Sequence, residues 1–354
     1  MTTLTLLASI VLFSSNLRAE VTWDINGDGK VIGLALSGGG LRATGIAYGA
    51  LKELDARGLL RNVDLISAVS GGSIVGAYYS LGLPLDEFGE KLGSNLLLSS
   101  VGKVFNFKNF GDGRRNTRTT GFADTLDELY FQNRKLTDLK KQPLLLINTT
   151  NIATTSLFVF SRNGAGGENL NGTSDLPFYR LTKDVHRETK VSTAVAASCA
   201  VPSLLAPMRI KAVKASSKGK TAVTIELVDG GVFDNAGLET LLVRRCDVII
   251  SIDASATVIT EEGYRYFSPG GTKVIPIIRR RYRELLNTHT RSKLLDSFIH
   301  IGMADDEVKK MRTIKTKLTK KDLELLVKHG REMVAENIDR IKKELHPIVT
   351  QDDR

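Results

Sequence analysis

The sequence predicts an α/β protein with a mostly parallel central sheet and helices on both faces, and three observations lead there. A short apolar run, Val31 to Leu36, passes straight into Gly38, Gly39 and Gly40, and then into a segment with Ile46, Ala47, Ala50, Leu51 and Leu54 at helical spacing. The same order returns at once: Val63 to Val69, the turn Ser70-Gly71-Gly72, then the apolar stretch Ser73 to Leu81. Neither run alternates polar with apolar residues, as expected of strands buried on both faces, and strand–turn–helix units repeated in this way build parallel sheets.

The rest of the chain extends this plan. Asp86 to Ser99 reads as a helix, and Val101 to Thr120 as a loop rich in Gly, Asn and Arg. Leu144 to Asn148 and Leu157 to Phe160 read as strands, Asn163 to Asp175 as a surface loop, and Met208 to Val213 with Thr221 to Val228 as strands around a turn. Val248 to Asp253 is a further strand, Lys273 to Ile278 a candidate last one, and from Glu284 the pattern is charged and helical. With no repeat and no linker, the organisation is one α/β domain over residues 28–283 followed by a basic helical region, 284–354.

Composition narrows the class. At 354 residues and 42% hydrophobic the chain can bury a large core, and 25% charged residues argue against a disordered or fibrous class. The net charge of +10 is concentrated between Lys273 and Lys343, which favours an anionic partner such as a membrane surface. Cys199 and Cys246 have no metal-ligand spacing and read as buried thiols. Leu4 to Phe13 has the length of a signal-peptide core, so residues 1–19 are a candidate signal peptide, although no Lys or Arg precedes the run and Leu17 stands where a small residue belongs. A cleaved leader implies a secreted or periplasmic protein; otherwise it is cytoplasmic or peripheral to a membrane.

Three segments carry chemistry. Ser70 lies between a strand and a helix in Ala68-Val69-Ser70-Gly71-Gly72, the place of a nucleophile elbow of the G-x-S-x-G kind with Ala68 for the first glycine. It could instead only cap the helix, a role for which Ser73 is better placed. Gly38, Gly39 and Gly40 open a helix, so their N–H groups form a nest for an anion, either a phosphate or an oxyanion. Gly38-x-Gly40-x-x-Ala43 also fits a dinucleotide fingerprint, but the second strand ends in Ser70 where that fold needs a ribose-binding acid. Asp229, in Val228-Asp229-Gly230-Gly231, closes a strand; Asp234 and Asn235 then look like a helix cap, so Asp229 falls at a strand end and not in a hairpin. His289, His300, His329 and His346 fall in charged, helical sequence and read as surface residues. Arg114, Arg115 and Arg118 follow an apolar stretch from Leu96 to Phe110, which suits a lid or lipid-facing patch and equally a solvated loop.

Together, Ser37 to Arg42, Val69 to Ser73, Ala197-Ser198-Cys199-Ala200-Val201-Pro202 and Val228 to Asn235 resemble, in order and surroundings, the motifs of the bacterial-type patatin-like phospholipases. The resemblance runs from about Val31 to Asp253, and the Arg42-Ala43 pair is closer to the group IV cytosolic variant. It implies a three-layer patatin-like fold and a Ser–Asp dyad. In that dyad Ser70 attacks an acyl ester and Asp229 takes its proton, while Gly38, Gly39, Gly40 and Arg42 hold the oxyanion. Gly71, Gly72, Gly230, Gly231 and Asn235 support the turns. The implied activity is phospholipase A-type hydrolysis of a phospholipid or other acyl lipid, with no cofactor or metal and no nucleic-acid partner. A carboxylesterase or thioesterase would use the same dyad; a nucleotide- or nucleic-acid-binding protein would use the nest and basic tail, against which the missing ribose acid and the tail's acidic residues count.

Overall fold

The structure, a computed structural model, describes residues 23–92, 117–167, 178–202, 204–216, 219–255, 285–294, 297–303, 308–309, 311 and 318–345. In chain order the elements are β1 (Ile32–Leu36), α1 (Gly40–Ala56), β2 (Leu65–Val69), α2 (Gly71–Ser80), α3 (Leu85–Leu92), α4 (Arg118–Leu126) and β3 (Leu144–Asn151). Then come β4 (Ser156–Ser161), β5 (Gly164–Gly167), β6 (Phe178–Arg180), α5 (Lys183–Glu188), α6 (Val191–Ser198), β7 (Met208–Ser216) and β8 (Gly219–Asp229). The chain continues through α7 (Glu239–Val243), β9 (Val248–Asp253), β10 (Phe298–Gly302), α8 (Lys320–Glu336) and α9 (Ile338–Leu345). The candidate leader, residues 96–116 with Arg114 and Arg115, the candidate strand at 273–278 and His346 lie outside the described residues.

The ten strands among the described residues form one sheet in the order β10-β9-β1-β2-β3-β4-β5-β6-β7-β8, and β8 also pairs with β3. The first five strands are parallel. From β3 onward every pairing is antiparallel, and the β3–β8 contact closes those six strands into a ring. The expectation of a mostly parallel sheet is corrected here. The reason is connection length: 152–155, 162–163 and 217–218 are too short for a parallel crossover, which needs about a dozen residues, so each pair must fold back as a hairpin. The glycine-rich 164–167 segment, expected as loop, joins this ring as β5 because ladder pairing uses backbone groups alone.

The register at β3 brings two remote residues together. Val69 of β2 stands opposite Asn148, and Asp229 of β8 stands opposite Thr149. Because β4 occupies one side of β3 from Ile147 to Asn151, β8 lies on the side that β2 occupies up to Asn148. The two strands run toward each other along β3, one parallel and one antiparallel to it, and their carboxyl ends meet. Asp229 was expected at the carboxyl edge of a parallel sheet; it reaches Ser70 from the opposite direction.

Apolar side chains bury on both sides of the sheet. The larger cluster joins α1, α2, α4, α6 and α8 to one face, with Ile46, Leu51, Tyr78, Phe131 and Leu326 among its members. The smaller, around Leu241, Ile249 and Phe298 with Trp23 against it, covers the other face. The C-terminal region is part of this body. It is not purely helical as expected from Glu284 onward: Phe298, Ile299 and Ile301 are buried in β10, which extends the parallel half. Five residues of strand within a charged stretch leave too short a periodic signal to stand out.

Helix α8, opened by a capping box between Thr319 and Asp322, lies directly on α1. The approach is close because glycines face it. A Cβ on Gly49 would stand 2.2 Å from the Val327 carbonyl oxygen, and one on Gly330 would stand 2.1 Å from that of Ile46. In an open helix Gly→Ala stabilises by about 1 kcal/mol. Here the sign reverses, because the added methyl meets backbone that cannot rotate away. Gly330→Ala is expected to destabilise by about 2 kcal/mol, within the range for overpacked cores, as a lower denaturant midpoint. A raised midpoint would show that the two helices do not approach as described.

Candidate active site

Ser70 occupies the sharp turn between β2 and α2 with φ 50° and ψ −122°, a left-handed conformation that costs a non-glycine residue about 1–3 kcal/mol. Such a turn projects the side chain off the end of the strand. Its neighbours must be small: a Cβ on Gly71 would sit 2.1 Å from the Gly40 carbonyl oxygen, and one on Gly72 would sit 2.6 Å from that of Leu36. Thr44 ties the two helix starts together, its hydroxyl donating to the Gly71 carbonyl at 2.8 Å.

The Ser70 hydroxyl donates to Asp229 Oδ2 at 2.8 Å. The other carboxylate oxygen, Oδ1, accepts the Gly231 N–H at 2.7 Å, and the Thr150 hydroxyl donates to the Asp229 carbonyl at 2.9 Å. Both side chains are buried, with Ser70 6% and Asp229 4% exposed, so little solvent competes for their hydrogen bond. Gly230 is required for the turn, since a Cβ there would meet the Asn148 carbonyl oxygen at 2.3 Å.

The glycine loop lies beside this pair. The Gly38 N–H donates to the Asn235 carbonyl at 2.9 Å, and Asn235 Nδ2 donates back to the Gly38 carbonyl at 3.3 Å and to Ser255 Oγ at 2.9 Å. Asn235 Oδ1 lies 2.4 Å from where a Cβ would fall on either Gly38 or Gly231. Asn235 thus bridges the glycine loop and the Asp229 turn. Asp234 organises the turn that leads into α7, accepting the N–H groups of Ala236, Gly237 and Glu239. Gly39 and Gly40 turn with φ 146° and 62° at the amino end of α1.

The sequence profile of the patatin-like phospholipase family matches residues 34–242, a span that holds Ser70, Asp229 and the glycine loop. The chain belongs to that family. Among solved structures it is similar to human GIVD cytosolic phospholipase A2, at 15% identity and TM-score 0.57 over 90% of this chain and 60% of that one. The same human protein in complex with methyl gamma-linolenyl fluorophosphonate gives 16% identity, TM-score 0.57 and the same coverage. VipD from Legionella pneumophila is 15% identical with TM-score 0.46, over 89% of this chain and 67% of that one. At these identities the likeness to the human enzyme is one of fold, and the chain spans about 60% of its length. No curated protein matches the chain significantly.

Other residues of this patatin-like chain fall differently from expectation. Arg42 is not aimed at an oxyanion: its guanidinium donates to the carbonyls of Met311 at 2.7 Å and Ala254 at 3.1 Å. Burial lowers it to about 10 against the opposing charge of Asp253. As the third residue of α1, it ties the start of that helix to the end of β9 and to the C-terminal region. His300 and His329 are not surface residues. His300, half-buried on β10, pairs with Asp253 Oδ2 at 3.2 Å, and His329 is buried on α8. They line a cavity of about 480 Å³ with Glu332 and Glu336, on elements that carry neither Ser70 nor Asp229. His289 is exposed, and Arg118 is exposed at the start of α4.

Both cysteines are buried, and burial pushes each thiol up. Cys199 is raised further by the neighbouring Asp229 charge, while hydrogen bonding to Ser73 and Ser70 opposes the shift. Sequence reasoning passed over Ser198, Asn148 and Thr44. Ser198 lay within a motif already singled out, but which way a side chain leaves a helix end depends on what the helix docks against.

Proposed function

We propose that the protein is a lipid acyl hydrolase of the phospholipase A type, cleaving carboxylic esters through Ser70, Asp229 and an acyl-enzyme. The observation that carries this reading is the buried 2.8 Å hydrogen bond from Ser70 Oγ, on a strained elbow, to Asp229 Oδ2. The human relative supports the lipid class: it is named a phospholipase A2 and was solved with a linolenyl fluorophosphonate.

In this mechanism Ser70 Oγ attacks the ester carbonyl carbon and its proton passes to Asp229 Oδ2. A carboxylate is a weak base, with an ordinary pKa of about 4, so transfer has to accompany attack along a preformed hydrogen bond. The negative charge that develops on the carbonyl oxygen is met by N–H groups at the amino end of α1. Since the Gly38 N–H is committed to Asn235, the donors in this reading are Gly39 and Gly40. Collapse expels the alcohol, which takes the proton back from Asp229. Water then attacks the acyl-enzyme by the same route and releases the fatty acid.

A lipid surface as the working phase is supported by position and charge. Val232, 41% exposed, sits in the turn directly after Asp229, and Ile152, 44% exposed, follows the end of β3. The excess of Lys and Arg between Lys273 and Lys343 adds attraction to anionic headgroups, about 1 kcal/mol for each residue near the surface. Hydrolysis of phospholipid in vesicles is expected to rise with anionic lipid content and fall with salt, while a short soluble ester responds weakly to both. Vesicle activity indifferent to lipid charge would remove the membrane role and favour a soluble acyl substrate.

A further inference from the structure

The segment Ser198-Cys199-Ala200, at the end of α6, touches the backbone of both members of the dyad. The Ser70 N–H donates to Ser198 Oγ at 2.9 Å, and the Asp229 N–H donates to the Ala200 carbonyl at 3.0 Å. Ser198 Oγ in turn donates its own proton to the Asn148 carbonyl at 2.6 Å. Asn148 is itself held on β3, its Nδ2 donating to Ser67 Oγ at 2.8 Å and to the Ala68 carbonyl at 3.2 Å. Ser198 is fully buried.

These bonds answer a problem that the elbow creates. Ser70 lies one residue beyond the last β2–β3 pair, Val69 with Asn148, and a buried N–H at that position without an acceptor is costly. The Ser198 hydroxyl supplies the acceptor. Because its single proton is already given to Asn148, its lone pairs are left facing the Ser70 N–H, so the donor it binds is fixed in direction.

We propose that Ser198 is the positioning residue for the nucleophile: its hydroxyl holds the Ser70 backbone in the strained conformation that aims Oγ at Asp229. Ala200, two residues on, holds the backbone of the base, so one short segment sets the separation of the two groups. The inference rests on the Ser–Asp reading above and deepens it. Ser198 touches no substrate. Removing its hydroxyl leaves the Ser70 N–H and the Asn148 carbonyl without this partner and allows the elbow to relax toward ordinary backbone geometry, which misplaces Oγ.

The test uses the full chain with Ser198→Ala, and with Ser198→Cys as a near-isosteric variant whose sulfur is a weak acceptor. Turnover of a soluble ester is measured per active site, titrated with a fluorophosphonate, alongside the probe's inactivation rate, the pH profile and thermal unfolding. Both variants are expected to lose about tenfold to a hundredfold in kcat and in inactivation rate together, the scale for misplaced reacting groups. KM should stay within about threefold, and the acidic limb of the pH profile should not move, because Asp229 remains the base. If Ser198→Ala does not fold, Ser198→Cys carries the test. A kcat per active site within about twofold of wild type in a folded variant overturns the proposal, because the hydroxyl then serves stability alone. Ser70→Ala and Asp229→Asn run in parallel: full turnover in either would bring down the Ser–Asp reading itself, whereas full turnover confined to the Ser198 variants removes only the positioning role.

Discussion

Ser70→Ala is expected to lower ester hydrolysis by at least about ten-thousandfold and to abolish fluorophosphonate labelling, with thermal stability modestly lowered. The size follows from the chemistry: without Oγ no acyl-enzyme forms, and only transition-state binding by the glycine loop remains, a residue of activity typical of hydrolases stripped of their nucleophile. The sign of the stability change follows from geometry. Alanine removes one buried hydrogen bond but keeps a Cβ, and the turn at φ 50° is strained for either residue. The buried Asp229 carboxylate loses one donor and keeps the Gly231 N–H, a cost of about 1–3 kcal/mol that lowers stability without unfolding the protein. Peptide mapping of the labelled wild type should place the adduct on Ser70 and nowhere else. Labelling that survives the substitution undiminished would assign the nucleophile elsewhere.

Asp229→Asn is expected to cost at least about a hundredfold in kcat, the low end for general-base catalysis, in a protein that still folds. The amide is nearly isosteric and can still accept the Gly231 N–H through its oxygen, so the turn is preserved. What it presents to Ser70 is then an NH₂ group, which donates where the carboxylate accepted. Single replacements of His289, His300, His329 and His346 should leave turnover within a few-fold. For His300 the reason is visible: its Nε2 faces Asp253, on a strand two places from β2 in the sheet. A collapse of activity from any one histidine would replace the dyad with a triad.

Local features of the site were legible in the sequence because they are local. Strand, glycine turn and helix follow one another within a few residues at Leu36 to Leu41 and at Val69 to Ser73, and steric rules for tight turns hold wherever the segment is placed. The strand–Asp–Gly–Gly–cap order around Asp229 was readable for the same reason. Asp234 and Asn235 were together expected as a helix cap; Asp234 accepts the N–H groups leading into α7, whereas Asn235 reaches across 197 residues of sequence to the Gly38 carbonyl.

The sequence by itself determined that two parallel strand–turn–helix units open the chain and that Ser70 and Asp229 each end a strand beside glycines. Only the tertiary structure decided that those strand ends meet. Their meeting depends on β8 closing an antiparallel ring and arriving along the same side of β3 as β2, a matter of register between segments 159 residues apart. It also decided that Arg42 clamps carbonyls of β9 and the C-terminal region, that β10 and α8 complete the body, and that Ser198 faces the nucleophile. Each of these is a long-range contact whose direction is set by which helix face docks where, and periodicity along one segment carries no record of the partner it will meet.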